Sequence, residues 1–133
     1  MVDAEPLIIT KLETAIKEKF PKALVTGEKV SAPSEFPAVS IVEVDSSTYE
    51  RSLTGEPIEH HSNIYYEVEI FSNLSIGRKT QCRQIAKVID DEMIALNFTR
   101  RMLAPIPNVS PSIYRMVGRY AGVVSNDYVM YRR

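Results

Sequence analysis

Few side chains in this sequence have the reactivity that catalysis or metal binding requires. His60 and His61 are the only histidines, and adjacent residues of an extended segment point to opposite faces, so they are poorly placed to bind one metal ion together. Cys82 is the only cysteine and would need a nearby histidine base to act as a nucleophile. Its place on an apolar stripe favours a buried small side chain instead. We therefore expect no metal site, no cofactor and no catalytic residue, and we predict that the protein is not an enzyme.

The carboxylates and glycines lead to the same expectation. Asp90, Asp91 and Glu92 fall within a predicted helix, where neighbouring residues diverge by about 100° around the axis. Only part of this cluster can converge on one ligand, so a solvated face or a subunit contact is favoured over a catalytic pair. The glycines are dispersed and form no phosphate-binding loop.

The C-terminal third combines arginine with tyrosine. Arg115 and Arg119 are four residues apart in a predicted strand, so they face the same way, roughly 13 Å apart. The other members of this set are Arg100, Arg101, Arg132, Arg133, Tyr114, Tyr120, Tyr128 and Tyr131. Arginine and tyrosine are enriched at protein interfaces. An assembly surface fits this pattern, with solvated sheet charges and a nucleic-acid surface as alternatives.

Length and composition indicate one domain over residues 1–133. The 133 residues are 44% hydrophobic and carry a net charge of −1, which argues against a dedicated nucleic-acid protein. One cysteine fits a reducing cytosol. No apolar run is long enough for a membrane-spanning helix, and the N-terminus lacks the pattern of a signal peptide.

Apolar periodicity predicts two helices and a sheet that must position these residues. In chain order, we predict a helix at Pro6–Phe20, strands at Ala23–Glu28, Ala38–Asp45 and Ser62–Asn73, a helix from an N-cap at Ser75 to Leu96, a strand at Phe98–Leu103 and a C-terminal hairpin at about 112–133. The order α-β-β-β-α-β-β, with strands in blocks, indicates the α+β class, a mixed or antiparallel sheet packed against two α-helices.

The same periodicity predicts which residues are buried. The first helix should bury Ile9, Leu12, Ile16 and Phe20, and the second should bury Cys82, Ile85, Ala86, Ile89, Met93 and Leu96. In the second strand Val39 and Ile41 alternate with Val42 and Val44, so both faces are expected to be covered. A long polar loop at about 46–59 follows, and long loops are often functional.

The order of several short motifs carries a resemblance to a known family. A helix ends at Phe20-Pro21, a strand opens with Pro37-Ala38-Val39-Ser40-Ile41, and the strand segment Tyr65–Ser72 leads into a long helix. The chain closes with Tyr114–Tyr120, Asp127 and Tyr131-Arg132-Arg133. In this layout the whole chain resembles the small tail-terminator or tail-completion (neck) proteins of long-tailed bacteriophages, prophages and phage-tail-like bacteriocins.

The resemblance implies a structural role. Such proteins form rings, commonly hexamers, that cap the tail tube, stop its polymerisation and present a surface to the head connector or collar. The implied partners are copies of the chain itself, the tail tube protein, the connector or collar protein and, further, the sheath terminus or tape measure protein. DNA would only pass through the ring lumen, and no membrane is involved. The implied location is the virion tail or neck, after assembly in the cytoplasm of the bacterial host.

The resemblance assigns the long loop and the C-terminal hairpin to ring or tube contacts. Together with the arginine set, the candidate interface residues are Tyr49, Arg51, Leu53, Glu56, Arg100, Arg101, Arg115, Arg119, Tyr131, Arg132 and Arg133. Other neck or minor capsid proteins share similar layouts. A small enzyme or ligand-binding domain would instead have a deep pocket near His60, His61 or Cys82. A nucleic-acid module would use the arginines and bind with a steep salt dependence.

Overall fold

The computed structural model describes residues 5–29, 33–48, 61–107, 112–125 and 130–131. These residues form two helices and a six-stranded mixed sheet. The elements are α1 (Glu5–Lys19), β1 (Leu24–Thr26), β2 (Ala38–Thr48), β3 (His61–Ser72), α2 (Arg78–Ala95), β4 (Thr99–Pro105), β5 (Tyr114–Ser125) and β6 (Met130–Tyr131). The predicted α+β class and element order are confirmed.

The sheet has the strand order β1-β2-β3-β5-β4, and β6 also pairs with β5. Only β1 and β2 run parallel; the other pairs are antiparallel. On the side of β5 away from β3, β4 pairs with residues 116–121, and β6 pairs with Val123 and Val124. Consequently β4 and β6 lie end to end along one edge of the sheet. The pairing of β5 with β6 confirms the predicted C-terminal hairpin, although its turn lies outside the described residues.

Both helices pack on one face of the sheet, and the core lies between the helices and that face. The strands β2 and β3 bury alternate residues there, Val39 and Ile41 from β2 and Ile64, Tyr66, Val68 and Ile70 from β3. The predicted stripe of α2 is confirmed, with Leu96 partly buried. In α1 Leu12 and Ile16 are fully buried as predicted, and Ile9 and Phe20 are partly buried against the core. The prediction omitted Ile8, which is also fully buried, because residues four apart form the stripe that faces the sheet.

The predicted start of α2 is also wrong. The N-cap is Gly77, not Ser75, and no side chain caps this end of the helix. Gly77 has φ of +85°, a left-handed conformation that glycine adopts without steric cost. The chain turns at this residue, and the N–H of Gln81 donates to the Gly77 carbonyl at 2.9 Å. The helix therefore begins two residues later than the sequence predicted.

The strand β2 is longer than predicted. It continues through Ser46, Ser47 and Thr48, which pair with residues 62–64 of β3. The predicted loop at 46–59 therefore begins too early, and its remaining residues lie outside the described part of the chain. A bulge falls between Glu43 and Asp45, and Val44 is 51% exposed. The expected cover over this side of β2 is thus missing at Val44 in the described structure.

The remaining boundaries differ by a few residues. The strand β1 is shorter than the predicted Ala23–Glu28. The strand β4 begins one residue later and ends two residues later than the predicted Phe98–Leu103. None of the helices in the described part of the chain has the length and apolar character needed to cross a membrane.

Candidate assembly surface

The sheet face opposite the helices, here called the outer face, carries the predicted pair Arg115 and Arg119. Residues of β5 alternate between Met116 and Tyr120, which are buried in the core, and the two arginines, which point the other way. The same alternation in β3 places Glu67 and Glu69 on the outer face, because Val68 and Ile70 are in the core. The prediction that the two arginines share a face is confirmed.

Arg119 forms an exposed ion pair with Glu67. The two residues lie directly opposite each other in the register of β5 and β3. The Nε of Arg119 donates to Glu67 Oε2 at 3.0 Å, and Nη2 lies 2.9 Å from the same oxygen. The Arg119 side chain is 60% exposed. Solvent-exposed pairs are weak and exchange partners at little cost, so this arginine is available to a neighbouring molecule.

Arg115 forms a buried ion pair instead. It reaches diagonally to Glu69, with Nε and Nη2 at 3.0 and 2.9 Å from Oε2, and its guanidinium carbon lies 6.0 Å from the ring centre of Phe71. The Glu69 side chain is only 4% exposed. The chain after β1 lies against this region, since the Ser40 hydroxyl donates to the Glu28 carbonyl at 2.8 Å and Lys29 lies 3.9 Å from Glu69. Arg115 is therefore engaged in contacts within the fold.

Arg101 lies at a bulge that separates it from Arg100. The register between β4 and β5 shifts between Arg100 and Met102, and Arg101 lines a groove on the outer face. This outer groove has a volume of about 570 Å³ and is lined by Val44, Tyr65, Glu67, Arg101 and Arg119, among others. It extends across the sheet from β2 to β4.

Arg100 lies on the opposite side of the sheet, against α2. Its Nη1 is 3.4 Å from Asp90 Oδ2, and the Tyr120 hydroxyl donates to Asp90 Oδ1 at 2.9 Å. Burial, reinforced by this carboxylate, raises the pKa of Tyr120. Asp90 therefore anchors α2 to β4 and β5 within the chain, whereas the predicted alternatives for the acidic cluster were a solvated face or a subunit contact.

The edge of β2 away from β3 is only partly paired with another strand. The short strand β1 pairs with residues 38–40 alone. From Ile41 to Thr48 no described strand pairs on that side, whereas β3 pairs along the other. Eight strand residues span about 26 Å. This length of β2 presents backbone N–H and C=O groups that can accept another strand.

The other predicted interface residues are only partly described. Tyr131 lies in β6, opposite Val123. Tyr49, Arg51, Leu53, Glu56, Arg132 and Arg133 lie outside the described residues, as does His60. His61 is the first residue of β3 and pairs with Ser125.

Cys82 lies in the core of the protein. Cys82 is fully buried, and its sulfur lies 3.6 Å and 3.9 Å from the carbonyl oxygens of Tyr114 and Ile70. Burial raises the pKa of the thiol from 9.0 to about 12. The interpretation of Cys82 as a small buried side chain is confirmed. Within the described ranges, no group of three histidine, cysteine or acidic residues could hold a metal ion.

The predicted interface residues did not include four residues of this surface, Val44, Tyr65, Glu67 and Glu69. Alternating carboxylates on β3 opposite spaced arginines on β5 were a usable signal, but only once the register of the two strands was known. Neither a protein-family model nor a curated protein matches this sequence.

Proposed function

We propose that this chain is a structural protein that assembles with copies of itself into a ring at the end of a phage-type tail tube. In this role it terminates tube polymerisation and joins the tail to the head connector or collar. The motif order of the sequence suggests this role, and the α+β fold with its long β2–β3 hairpin is compatible with it.

The observation that carries the proposal is the edge of β2 away from β3, with which no strand of the described residues pairs between Ile41 and Thr48. A strand from a neighbouring subunit adds there through main-chain hydrogen bonds. In the proposed ring β2 meets a different element of the neighbour, so the contact is heterologous and can close into a ring when it is repeated around an axis.

The outer groove supplies side-chain contacts beside that edge. Val44 is 51% exposed and offers an apolar contact at the β2 end. Arg101 and Arg119 supply charge at the other end. Arg119 can exchange Glu67 for a carboxylate of the neighbour at small cost, because the existing pair is exposed. The combination of an apolar contact with arginines is typical of interface residues.

The test is a substitution at the proposed edge with a matched control. Val44→Lys places a charge beside the β2 edge, where it opposes strand addition. Ile94→Lys makes the same kind of change on α2, at a side chain that is 50% exposed. We expect wild-type protein and Ile94→Lys to form rings on cognate tail tubes and to cap them in electron micrographs, while Val44→Lys does neither. Sedimentation measures self-association at the same protein concentrations.

The possible outcomes test the contact at the β2 edge and the proposed function independently. If Val44→Lys caps tubes as well as Ile94→Lys does, the β2 edge is not the contact. If the wild-type protein neither self-associates nor binds tubes, the proposed function is wrong. If it forms rings that bind the connector protein but not the tube, it belongs to another position in the neck.

A further inference from the structure

A second concave surface lies on the helix side of the sheet, between α2 and strands β4 and β5. This α2–β4 cleft has a volume of about 360 Å³, at the small end of the ~300–1,000 Å³ typical of ligand sites. Its apolar lining comes from Ala86, Leu103, Pro105 and Met116. It is separate from the outer groove, because the sheet lies between them.

The side walls of the cleft are predominantly basic. Four basic residues, Lys79, Arg83, Lys87 and Arg100, line it together with two acidic residues, Asp90 and Asp91. This leaves a formal charge of +2 in a chain whose net charge is −1. The local excess is therefore opposite in sign to the molecule as a whole.

Two of these basic residues have no counter-charge among the described residues. Lys87 lies 3.3 Å from Asp91, and Arg100 lies 3.4 Å from Asp90. Lys79 and Arg83 form no ion pair within the part of the chain that the structure describes. They are four residues apart on α2, so they project to the same side, about 6 Å apart along the axis.

Intramolecular stability does not explain these charges. The first turn of α2 contains no acidic residue and begins with Arg78 and Lys79. Positive charges at the N-terminus of a helix interact unfavourably with the helix dipole. An anionic partner in the cleft would offset this unfavourable interaction.

We propose that the α2–β4 cleft binds an acidic, extended segment of a partner protein. Carboxylates of the segment pair with Lys79 and Arg83, and an intervening apolar side chain contacts Leu103, Pro105 and Met116. A peptide fits better than a nucleic acid: the lining has an apolar part, and Tyr114 is the one aromatic side chain in the described lining, whereas strand-binding proteins stack bases on several aromatics. The proposal does not depend on ring formation.

The test uses a short fluorescein-labelled peptide in which glutamate alternates with leucine, and fluorescence anisotropy measures its binding. One control peptide has lysine in place of glutamate, and another has serine in place of leucine. The test variant is Lys79→Glu/Arg83→Glu, in which the new carboxylate at position 79 falls in the first turn of α2, where negative charge is favourable. The control variant, Lys11→Glu/Lys22→Glu, changes the net charge equally at exposed positions.

We expect the test variant to bind the acidic peptide at least tenfold more weakly than wild type, a loss of about 1.4 kcal/mol of binding free energy. The control variant should bind within twofold of wild type. Both control peptides should bind more weakly to the wild-type protein. Equal losses in the two variants, or absence of binding to wild type at low salt, would overturn the proposal. Tighter binding of a single-stranded oligonucleotide, or self-association that depends on Lys79 and Arg83, would also overturn it by identifying another occupant.

Discussion

The two arginine–glutamate pairs of the outer face predict very different costs for the same substitution. Both pairs have nitrogen–oxygen distances of 2.9 and 3.0 Å, but the Glu69 side chain is 4% exposed and its arginine 23%, against 15% and 60% for the other pair. Arg115→Met leaves a buried carboxylate without its main partner, which costs about 3–5 kcal/mol. Lys29 stays 3.9 Å from that carboxylate but is itself 71% exposed, so we expect a value near 3 kcal/mol.

Arg119→Met is the matched control, because it removes the same group from a pair of the same geometry. Solvent-exposed pairs contribute about 0.2–1 kcal/mol, so its effect should be within that range. Equilibrium unfolding in urea measures both values. Far-ultraviolet circular dichroism is the suitable signal, since the chain has no tryptophan. The larger loss should also lower the Tm by roughly 10 °C.

A double substitution tests the physical reason for the difference. In Glu69→Gln/Arg115→Met no charge is left buried, so most of the stability lost in Arg115→Met should return. Equal costs for the two arginine substitutions would refute the reasoning from burial. A double variant as unstable as Arg115→Met would show that packing of the arginine stem, rather than the uncompensated carboxylate, causes the loss.

Two further predictions concern the core. Gly122→Ala should destabilise the protein by about 1–3 kcal/mol, because an added Cβ would lie 2.7 Å from the Phe98 ring. Thermal unfolding measures the loss of stability. An unchanged Tm would show that the ring moves aside without cost. Burial raises the pKa of the Cys82 thiol from 9.0 to about 12, so its contribution to stability is complete below pH 9.0 and is lost as the pH rises towards 12. Cys82→Ala should remove that part of the alkaline slope, and an identical slope in the variant would contradict the assignment.

The element order could be predicted from the sequence because its signals are local. The stripe of α2 and the alternation of β3 each depend on residues a few positions apart. The extension of β2 could not be predicted, because Ser46, Ser47 and Thr48 have no apolar alternation and are strand residues only through pairing with β3. Long-range pairing overrides local propensity at such positions.

The candidate surface was only partly predictable for the same reason. The spacing of Arg115 and Arg119 in one strand correctly placed them on one face. Their different roles depend on register and burial, which no single strand encodes. Arg100 and Arg101 were grouped as neighbours, but the bulge in β4 separates them, and bulges of this kind re-aim side chains without a strong sequence signal.

The two edges of the sheet differ in a way that bears on the proposed assembly. Proteins protect edge strands from unwanted pairing with prolines, charges and bulges. The strand β4 has a bulge at Arg101, ends at Pro105 and is followed by Pro107. From Ile41 to Thr48, β2 contains no proline, and beyond its bulge at Val44 it continues with polar residues that remain in register with β3. The strand β2 also carries charges at Glu43 and Asp45, but Ser46, Ser47 and Thr48 have neither charge nor proline. Strand addition is therefore opposed at β4 and permitted at this end of β2, which supports placing the subunit contact there.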